Sequence, residues 1–320
     1  MFGAIGTLPS IALASGPSPV EELSQLRAAL RCDARLLVKR DDALTFAFGG
    51  NKVRKMQLVA AQARASGADT LITTGGIQSN HARVTSAAAA KLGMRCILVA
   101  NGSKPDRPTA NALLDRLLGA DVRYVATRQD RAAEMERAAE SVLAQGGRPF
   151  VIPLGASTPL GAAAFVAAID ELGQQIEPPD VIIHSTSSGG TQAGLVAGCA
   201  LAGWHTRVVG ISADESSAVL ERDVRGLLAG LAELLDVASG RFAKAIVEID
   251  DNFVGGGYGV ATTESQEAID LAARTEALFL DPTYTAKAMA GLVARARASK
   301  FEAGSTVLFW HTGGQVALFA

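Results

Sequence analysis

Short apolar segments alternate with longer, helix-length segments along most of this chain. Eight of the short segments are nearly continuous apolar runs, as expected for strands buried on both faces of a sheet. Strands are predicted at 36–40, 70–74, 95–100, 122–125, 150–154, 181–184, 208–212 and 306–310. Helices are predicted at 53–66, 80–92, 109–118, 130–144, 160–172, 193–202, 263–275 and 286–298. Because most strands precede a helix, the pattern predicts an α/β fold of open, mostly parallel twisted sheets flanked by helices.

The composition is that of a folded protein with a large core, and it narrows the classes of partner. The 320 residues suffice for about two domains, and 48% of them are hydrophobic against 19% charged. A net charge of −2 provides no concentrated basic face, so no nucleic-acid partner is expected. No segment is long and apolar enough to span a membrane, so no membrane partner is expected either.

Cysteine usage and the N-terminal segment indicate where the protein works. Cys32, Cys96 and Cys199 are far apart and form no CxxC pair, so we expect neither a disulfide framework nor a metal site. This pattern favours a reducing compartment, and we predict a cytoplasmic protein. Residues 1–16 are apolar enough to resemble a signal peptide, but the first basic residue is Arg27. Because the basic n-region is missing, the segment is not interpreted as a signal peptide.

Several predicted strands end in turns rich in Gly, Ser and Thr. These turns lie at 73–81, 184–194 and 311–314, and the first two lead directly into helices. In open α/β sheets, ligands bind beyond the carboxyl ends of the strands. The sequence therefore predicts a functional site where these turns meet.

The turn formed by Ser187, Ser188, Gly189, Gly190 and Thr191 has the composition of a phosphate-binding loop. Glycines allow the backbone to approach an anion closely, and a helix N-terminus adds N–H donors with partial positive charge. The loop is neither a Walker P-loop nor a GxGxxG motif. The alternative is an ordinary glycine-rich turn between a strand and a helix.

A second motif, GGNKVRK at 49–55, places Lys52, Arg54 and Lys55 in the first turn of a predicted helix. Cations are disfavoured at that end of a helix unless an anion lies nearby. A lysine beside positive charge is also partly deprotonated, as a lysine that attacks a carbonyl carbon must be. The alternative is a solvated basic face on an amphipathic helix.

Polar and aromatic side chains in other turns complete the candidate site. Ser79, Asn80 and His81 stand at a predicted helix start, where they either cap the helix or bind a carboxylate or phenolate oxygen. Two of the three tyrosines, Tyr258 and Tyr284, lie in turns marked by Gly or Pro. They either line a site or simply pack over the turn.

Together these motifs resemble those of the D-cysteine desulfhydrase and 1-aminocyclopropane-1-carboxylate (ACC) deaminase family. Its members are fold-type-II enzymes that depend on pyridoxal 5′-phosphate (PLP). The similarity extends in order along nearly the whole chain. It is carried by the segments VKRDD, GGNKVRK, GADTLITTGGIQSNHAR, LLDRLLGA, SSGGTQAGL, GGGYGV, LDPTYTAKAMAGL and HTGG.

The resemblance implies a set of cofactor contacts. Lys52 would bind the cofactor covalently, with Lys55 near the phosphate group. Asn80 would contact the phenolate oxygen, Tyr284 would lie close to the ring, and Thr285 would meet the pyridine nitrogen. The phosphate group would be held by Ser187, Ser188, Gly189, Gly190 and Thr191.

The resemblance also implies which residues meet the substrate, a small amino acid. Ser79 and the two tyrosines, Tyr258 and Tyr284, would act with Lys52 in catalysis. The substrate would contact Ser79, Asn80, His81, Tyr258 and Tyr284.

Thr285 helps to choose between the activities of the family, because ACC deaminases carry a glutamate after the tyrosine. A neutral hydroxyl suits an unprotonated pyridine, which is adequate for removing an α-proton and losing a good leaving group. We therefore expect β-elimination, most simply from D-cysteine, giving pyruvate, ammonia and hydrogen sulfide. Alternatives are elimination of sulfite from L-cysteate, ACC deamination, and a non-catalytic PLP-binding protein. Neither the enantiomer nor the leaving group follows from the sequence.

The family also implies an arrangement of domains and subunits. A larger PLP-binding domain would combine residues 1–50 and 158–320, and a smaller domain would comprise residues 51–157. The site would lie between them, as cofactor clefts commonly do. A homodimer is expected from the resemblance alone.

Overall fold

The computed structural model describes residues 3–238 and 240–320; residues 1, 2 and 239, which the predicted larger domain includes, lie outside the described residues. The strands are β1 (Val20–Glu22), β2 (Arg35–Arg40), β3 (Thr70–Gly76), β4 (Arg95–Asn101), β5 (Asp121–Val125), β6 (Pro149–Val151), β7 (Val181–Thr186), β8 (Arg207–Ser212), β9 (Glu248–Asp250) and β10 (Thr306–His311). The α-helices are α1 (Gly3–Gly6), α2 (Ser24–Leu30), α3 (Asn51–Ala65), α4 (Asn80–Leu92), α5 (Ala110–Leu117), α6 (Arg131–Ala144), α7 (Pro159–Gly173), α8 (Gly190–Ala202), α9 (Ser217–Leu234), α10 (Thr263–Glu276) and α11 (Thr285–Arg297). Within these described ranges, no helix is long and apolar enough to cross a membrane.

The strands form two sheets. One has six strands in the order β1-β2-β10-β7-β8-β9, and all its pairings are parallel except that of β1 with β2. The other has four parallel strands in the order β5-β4-β3-β6. The predicted α/β fold with mostly parallel sheets is therefore confirmed. The four-stranded sheet is built from residues 70–151, whereas the domain boundaries at 51 and 158 stay a prediction.

Side chains alternate between the two faces of the larger sheet, and each face has its own core. Along β10, Leu308 and Trp310 pack with helices α7, α8 and α9, whereas Val307 and Phe309 pack with α2, α10 and α11. This alternation follows from the two-residue period of a strand. On the first face, the rings of Phe165 and Trp310 meet edge to face with centroids 5.9 Å apart.

Each predicted strand and helix overlaps an observed one, but several boundaries were wrong. The strand predicted at 150–154 ends at Val151, because the chain turns into a 3-10 helix at Leu154 and Gly155 adopts a left-handed conformation with φ +68°. The helix predicted from residue 193 begins at Gly190, since the Gly-Thr pair that suggested a loop forms its first turn.

The prediction missed α9, the longest helix described, together with the short elements α1, α2, β1 and β9. The buried positions of α9 include Leu220, Val224, Leu228 and Leu231, a spacing of three and four residues that is typical of an amphipathic helix. Its two interior glycines and its many charged residues concealed that spacing.

The two sheets are joined by the turn that connects β2 to α3. A Cβ atom on Gly313 would lie 2.6 Å from the Cα atom of Gly50, so the turns after β2 and β10 touch backbone to backbone. Both residues have positive φ, which glycine adopts without strain. One turn into α3, the buried guanidinium of Arg54 donates to Asp41 at 2.8 Å and to Glu171 at 2.8 Å. These contacts fix the helix that carries Lys52 against the larger sheet.

Candidate active site

A cavity opens at the carboxyl ends of β3, β7 and β10, beside the start of α3. This is the position at which α/β sheets bind ligands. Ten of the predicted site residues line it: Lys52, Ser79, Asn80, His81, Ser187, Ser188, Gly189, Thr191, Tyr258 and Tyr284. The other three predicted residues, Lys55, Gly190 and Thr285, are absent from the lining.

Gly190 lies where a lysine and a serine approach the backbone. A Cβ atom on Gly190 would stand 2.7 Å from the Lys55 ammonium nitrogen and 2.8 Å from the Ser157 hydroxyl oxygen. Ser157 in turn shares a 2.7 Å hydrogen bond with Ser188. Gly189 precedes the helix in a left-handed conformation, so α8 begins directly at this cluster. Hydroxyls, an ammonium group and a helix N-terminus therefore converge, as an anion-binding site requires.

Lys55 is a buried lysine whose hydrogen bonds go to neutral groups. Its ammonium group donates to the Gly155 carbonyl at 3.1 Å and to the Ser157 hydroxyl at 3.4 Å. Burial, and then the neighbouring charge of Lys52, hold the pKa of Lys55 well below its usual range. Since neither oxygen carries a full charge, an anion beside Gly190 would stabilise the charged form of Lys55.

Lys52 presents a reactive amine to the cavity. Its nitrogen lies 3.5 Å from the Gly155 carbonyl oxygen, and burial lowers its pKa to about 8. A substantial fraction of this amine is neutral near physiological pH and therefore nucleophilic. Gly155 is held to a glycine because a Cβ atom there would lie 2.6 Å from the Ser188 hydroxyl oxygen and 3.3 Å from the Lys52 nitrogen.

Ser79 and Asn80 form the wall at the start of α4. The Ser79 hydroxyl accepts the backbone N–H of Ala82 at 3.2 Å. Ser79 therefore caps the helix, which is one of the two roles that the sequence predicted for it. The Asn80 carbonyl oxygen accepts from the Asn111 amide at 2.9 Å and from the Arg83 guanidinium at 3.4 Å. The NH₂ group of Asn80 is consequently the part of the amide that a ligand oxygen in the cavity can use.

His81 is a neutral residue in this wall. The Thr73 hydroxyl donates its proton to the Ile152 carbonyl, so the 2.8 Å contact with His81 Nε2 requires a proton on that nitrogen. The buried Nδ1 atom is then an unprotonated acceptor, and it has no partner in the described structure. Burial and the charges of Lys52 and Lys55 hold the pKa of His81 well below its usual range.

The two predicted tyrosines form a pair. Their hydroxyl oxygens lie 2.5 Å apart and their ring centroids 5.7 Å apart, with the ring planes at 74°. Burial is the main cause that raises the pKa of both Tyr258 and Tyr284, so both are protonated. Only one of the two protons is used in the contact between them, and the other hydroxyl proton is available to a ligand.

Thr285 lies at the first position of α11 and is fully buried. Its hydroxyl donates to the Asp281 carboxylate at 2.7 Å and accepts the Asp281 backbone N–H at 2.8 Å. The same carboxylate accepts the backbone N–H groups of Thr283, Tyr284 and Thr285, which orders the turn that carries Tyr284. The contact of Thr285 with a cofactor nitrogen stays a prediction.

The sequence analysis missed several residues that form the site. Two of them lie in the turn before α7, for which the sequence analysis proposed no role. The others are charged residues that follow strands, and charged residues in such turns are ordinarily solvated. The missed residues are Gly155, Ser157, Arg128, Arg131 and Asp214.

Comparison with known proteins places this geometry in a family. Residues 11–313 match the family model described as pyridoxal-phosphate dependent enzyme. The chain is 39% identical to a 1-aminocyclopropane-1-carboxylate deaminase of Methylobacterium nodulans, over 96% of this chain and 94% of the relative. It is 38% identical to a D-cysteine desulfhydrase of Klebsiella pneumoniae, over 98% of this chain and 96% of the relative.

A solved structure agrees with these relatives. An ACC deaminase homologue superposes with a TM-score of 0.91 at 35% identity, over 99% of this chain and 95% of the other. The predicted family and fold type II are thereby confirmed, as is dependence on PLP. Because the relatives carry both activity names, they leave the substrate open.

Proposed function

The chain belongs to the family of pyridoxal-phosphate dependent enzymes, and from this premise we propose that it eliminates a sulfur-bearing β-substituent from a small amino acid, with D-cysteine as the reference substrate. At the coarser level it is a PLP-dependent lyase of the ACC deaminase and D-cysteine desulfhydrase type. The observation that carries the proposal is a buried lysine amine, Lys52, with its pKa lowered to about 8. That amine lines the same cavity as the hydrogen-bonded pair of Tyr258 and Tyr284.

The residues of the site fit PLP. Lys52 would bind the cofactor covalently, and the loop 187–191 would hold the phosphate group. Two observations support that position for the phosphate. The Lys55 side chain donates to neutral oxygens rather than to a carboxylate, and Gly190 leaves space for an anion beside it. The NH₂ group of Asn80 supports a contact with the phenolate oxygen. When bound, PLP supplies an electron sink for the carbanion next to the amino group.

The protein's own residues would bind the substrate and move its protons. The N-terminus of α4, with Ser79 and Asn80, is suited to a substrate carboxylate, because a helix N-terminus carries partial positive charge. Lys52, once free, accepts the α-proton as its amine. The spare hydroxyl proton of the Tyr258–Tyr284 pair is available to the departing sulfur. Loss of the β-substituent leaves an enamine, which water hydrolyses to pyruvate and ammonia.

Thr285 favours elimination over opening of the ACC ring. Its hydroxyl is already bonded to Asp281 and remains neutral, so it places no full charge at this position. A glutamate there would favour a protonated ring nitrogen by opposite-charge attraction. A weaker electron sink suffices for a good leaving group such as a thiolate, whereas an unactivated cyclopropane carbon demands a stronger one.

A panel of substrates tests the proposal. The purified holoenzyme is incubated with D-cysteine, L-cysteine, L-cysteate and ACC, and the keto acid formed from each is identified. We expect pyruvate from at least one β-substituted alanine and only traces of 2-oxobutanoate from ACC. Abundant 2-oxobutanoate without pyruvate would identify an ACC deaminase and reject the proposal.

We also propose that the enzyme works in the cytoplasm as a homodimer. Cys32, Cys96 and Cys199 are free and buried, which is compatible with a reducing compartment. The assembly is tested by light scattering during gel filtration, where a homodimer has twice the 33.0 kDa of one chain.

A further inference from the structure

Lys287 is a fully buried lysine with no part in the proposed cofactor contacts and proton transfers. It lies in the first turn of α11. Its ammonium nitrogen donates to three backbone carbonyl groups, those of Ala213 at 2.9 Å, Val254 at 2.8 Å and Gly257 at 2.9 Å. One side chain therefore joins α11 to the end of β8 and to the glycine-rich turn that carries Tyr258.

This set of hydrogen bonds requires the charged form of Lys287. A neutral amine lacks the third N–H donor that an ammonium group has. Burial lowers the pKa of the lysine, and the carboxylates of Asp214 and Asp281 oppose that effect. Because every donor is used on a backbone carbonyl, the side chain is not free to act as an acid or a base. Any influence on the reaction must come through the segments that it holds.

The turn that Lys287 holds is weakly ordered by its own bonds. Residues 251–262 form neither helix nor strand. The backbone hydrogen bonds within 251–260 are each 3.3 Å long, at the weak end of the range for such bonds. The turn is also rich in glycine, which loses more conformational freedom on folding than any other residue. The two shorter bonds from Lys287 are therefore an important restraint on its position.

The same lysine connects the two halves of the tyrosine pair. Tyr258 directly follows Gly257, whose carbonyl accepts from Lys287, and Tyr284 directly precedes α11, which carries Lys287. The two hydroxyl oxygens lie 2.5 Å apart. Hydrogen bonds weaken steeply when donor and acceptor are misaligned, so this contact depends on the position of the turn relative to the helix.

We propose that Lys287 is a positioning residue, whose ammonium group holds the glycine-rich turn against α11 so that the Tyr258 hydroxyl stays paired with that of Tyr284. The proposal rests on the proposed elimination, in which the pair supplies a proton to the departing sulfur. It goes beyond that function because it assigns control of the pair to a residue that is absent from the cavity lining.

NMR spectroscopy of the holoenzyme tests the position of the tyrosines without relying on turnover. Tyrosine labelled isotopically at Cζ gives three signals, because the chain has three tyrosines. The variant Tyr258→Phe shows where the Tyr284 signal lies when the pair is broken, and Tyr284→Phe completes the assignment. In Lys287→Met, the Tyr284 signal should move most of the way to that position. The signal of Tyr124, on β5, should stay unchanged.

Lys39→Met is the matched control. Lys39 is also fully buried, and its ammonium group also donates to three oxygens, those of Ser18, Glu171 and Gln175. The control removes a buried ammonium group away from the turn, so the tyrosine signals should stay as in the wild type.

Circular dichroism checks the folding of each variant. If Lys287→Met does not fold, Lys287→Gln takes its place, because the shorter amide retains N–H donors but cannot reach every carbonyl. The proposal is rejected if the Tyr284 signal is unchanged in a folded Lys287 variant. It is also rejected if that signal moves as far in Lys39→Met.

Kinetics provide a second readout that loss of stability alone would not reproduce. With the β-substituted alanine that gives pyruvate fastest, kcat/KM of Lys287→Met should fall at least about tenfold. Tyr258→Phe should lose at least as much. The double variant should be little slower than Tyr258→Phe, because Lys287 acts through Tyr258. Losses that simply add would show that Lys287 acts elsewhere and would overturn the proposal.

The two readouts separate this proposal from the proposed function. A displaced Tyr284 signal in Lys287→Met, with no pyruvate from any β-substituted alanine in the wild type, supports the positioning role and overturns the lyase. Pyruvate from the wild type, with unchanged tyrosine signals in the variant, overturns the positioning role and leaves the lyase standing. A displaced signal together with losses that do not add supports both.

Discussion

The ammonium nitrogen of Lys55 lies 2.7 Å from the position that a Cβ atom would occupy on Gly190. Any side chain at residue 190 would therefore displace the lysine or occupy the space in which an anion can meet it. The Ser157 hydroxyl stands at 2.8 Å from the same point. These contacts explain why the first residue of α8 is a glycine, although glycine is a poor helix former.

Replacing Gly190 by Asp should abolish tight PLP binding. The carboxylate would enter the anion site, where it repels the phosphate and pairs with Lys55. We expect the PLP dissociation constant to rise at least about 100-fold, or ~2.7 kcal/mol. Gly226→Asp is the control, because Gly226 has no heavy atom within 4 Å of its Cβ position. Equal PLP affinity in the two variants, both folded, would mean that the phosphate binds elsewhere.

The rate at which the apoprotein condenses with pyridoxal should report the pKa of Lys52. Burial lowers this pKa to about 8 from 10.5, and only the neutral amine attacks an aldehyde. The rate should therefore rise with pH and level off above about pH 8, as read from imine absorbance. Pyridoxal is used because its missing phosphate adds no charge to the site. A rate that still climbs steeply at the pH of an ordinary lysine would contradict the burial argument, and Lys52→Ala provides the background.

Replacing Thr285 by Glu should slow the elimination without creating an efficient ACC deaminase. A carboxylate near the cofactor nitrogen would favour its protonated form and strengthen the electron sink. The carbanion would be more stable and lose its leaving group more slowly, since only interactions that strengthen in the transition state accelerate a step. We expect turnover of the preferred substrate to fall about tenfold, with a stronger long-wavelength absorption band in stopped-flow spectra.

The companion variant Thr285→Ser keeps the hydroxyl that bonds to Asp281 and should retain the spectrum and most of the activity. If the glutamate variant keeps both full turnover and an unchanged spectrum, Thr285 does not contact the ring nitrogen. The structural preference for elimination over ACC opening would then lose its main support.

Asp41→Asn should destabilise the fold strongly. The buried Asp41 carboxylate accepts from Arg54 at 2.8 Å and from the Trp310 indole at 2.8 Å. Removing its charge leaves Arg54 with the single carboxylate of Glu171. The free energy of unfolding in urea should fall by about 3 kcal/mol. Arg35→Gln, which breaks an ion pair between half-exposed side chains, should cost less than about 1 kcal/mol. A similar loss in both variants would show that burial of the first pair is unimportant.

Much of the site could be predicted because its signals are local in sequence. Lysines at the start of a helix conflict with the preference of that end for negative charge, and this conflict identified Lys52. The glycines and hydroxyl residues before the next helix identified the loop 187–191. The turns after β3 and β7 were likewise visible as polar segments behind apolar strands.

The remaining parts of the site depend on packing that no local pattern records. Ser157 reaches Ser188 only because α7 and α8 pack side by side, and Arg128 reaches Tyr258 across the gap between the sheets. The pairing of β2 with β10 joins residues about 270 positions apart, a register that strand periodicity leaves undetermined.

Covalent trapping of the cofactor is the most direct test of the account. The holoenzyme is reduced with borohydride, digested, and searched by mass spectrometry for a pyridoxyl-modified lysine. Lys52 and Lys55 lie on the same helical turn, where Lys55 is buried and Lys52 is partly exposed, so Lys55 serves as the internal comparison. We predict the modification on Lys52, the lysine that lines the cavity. Modification of Lys55 or of any other lysine, or a purified protein without PLP, would contradict the account.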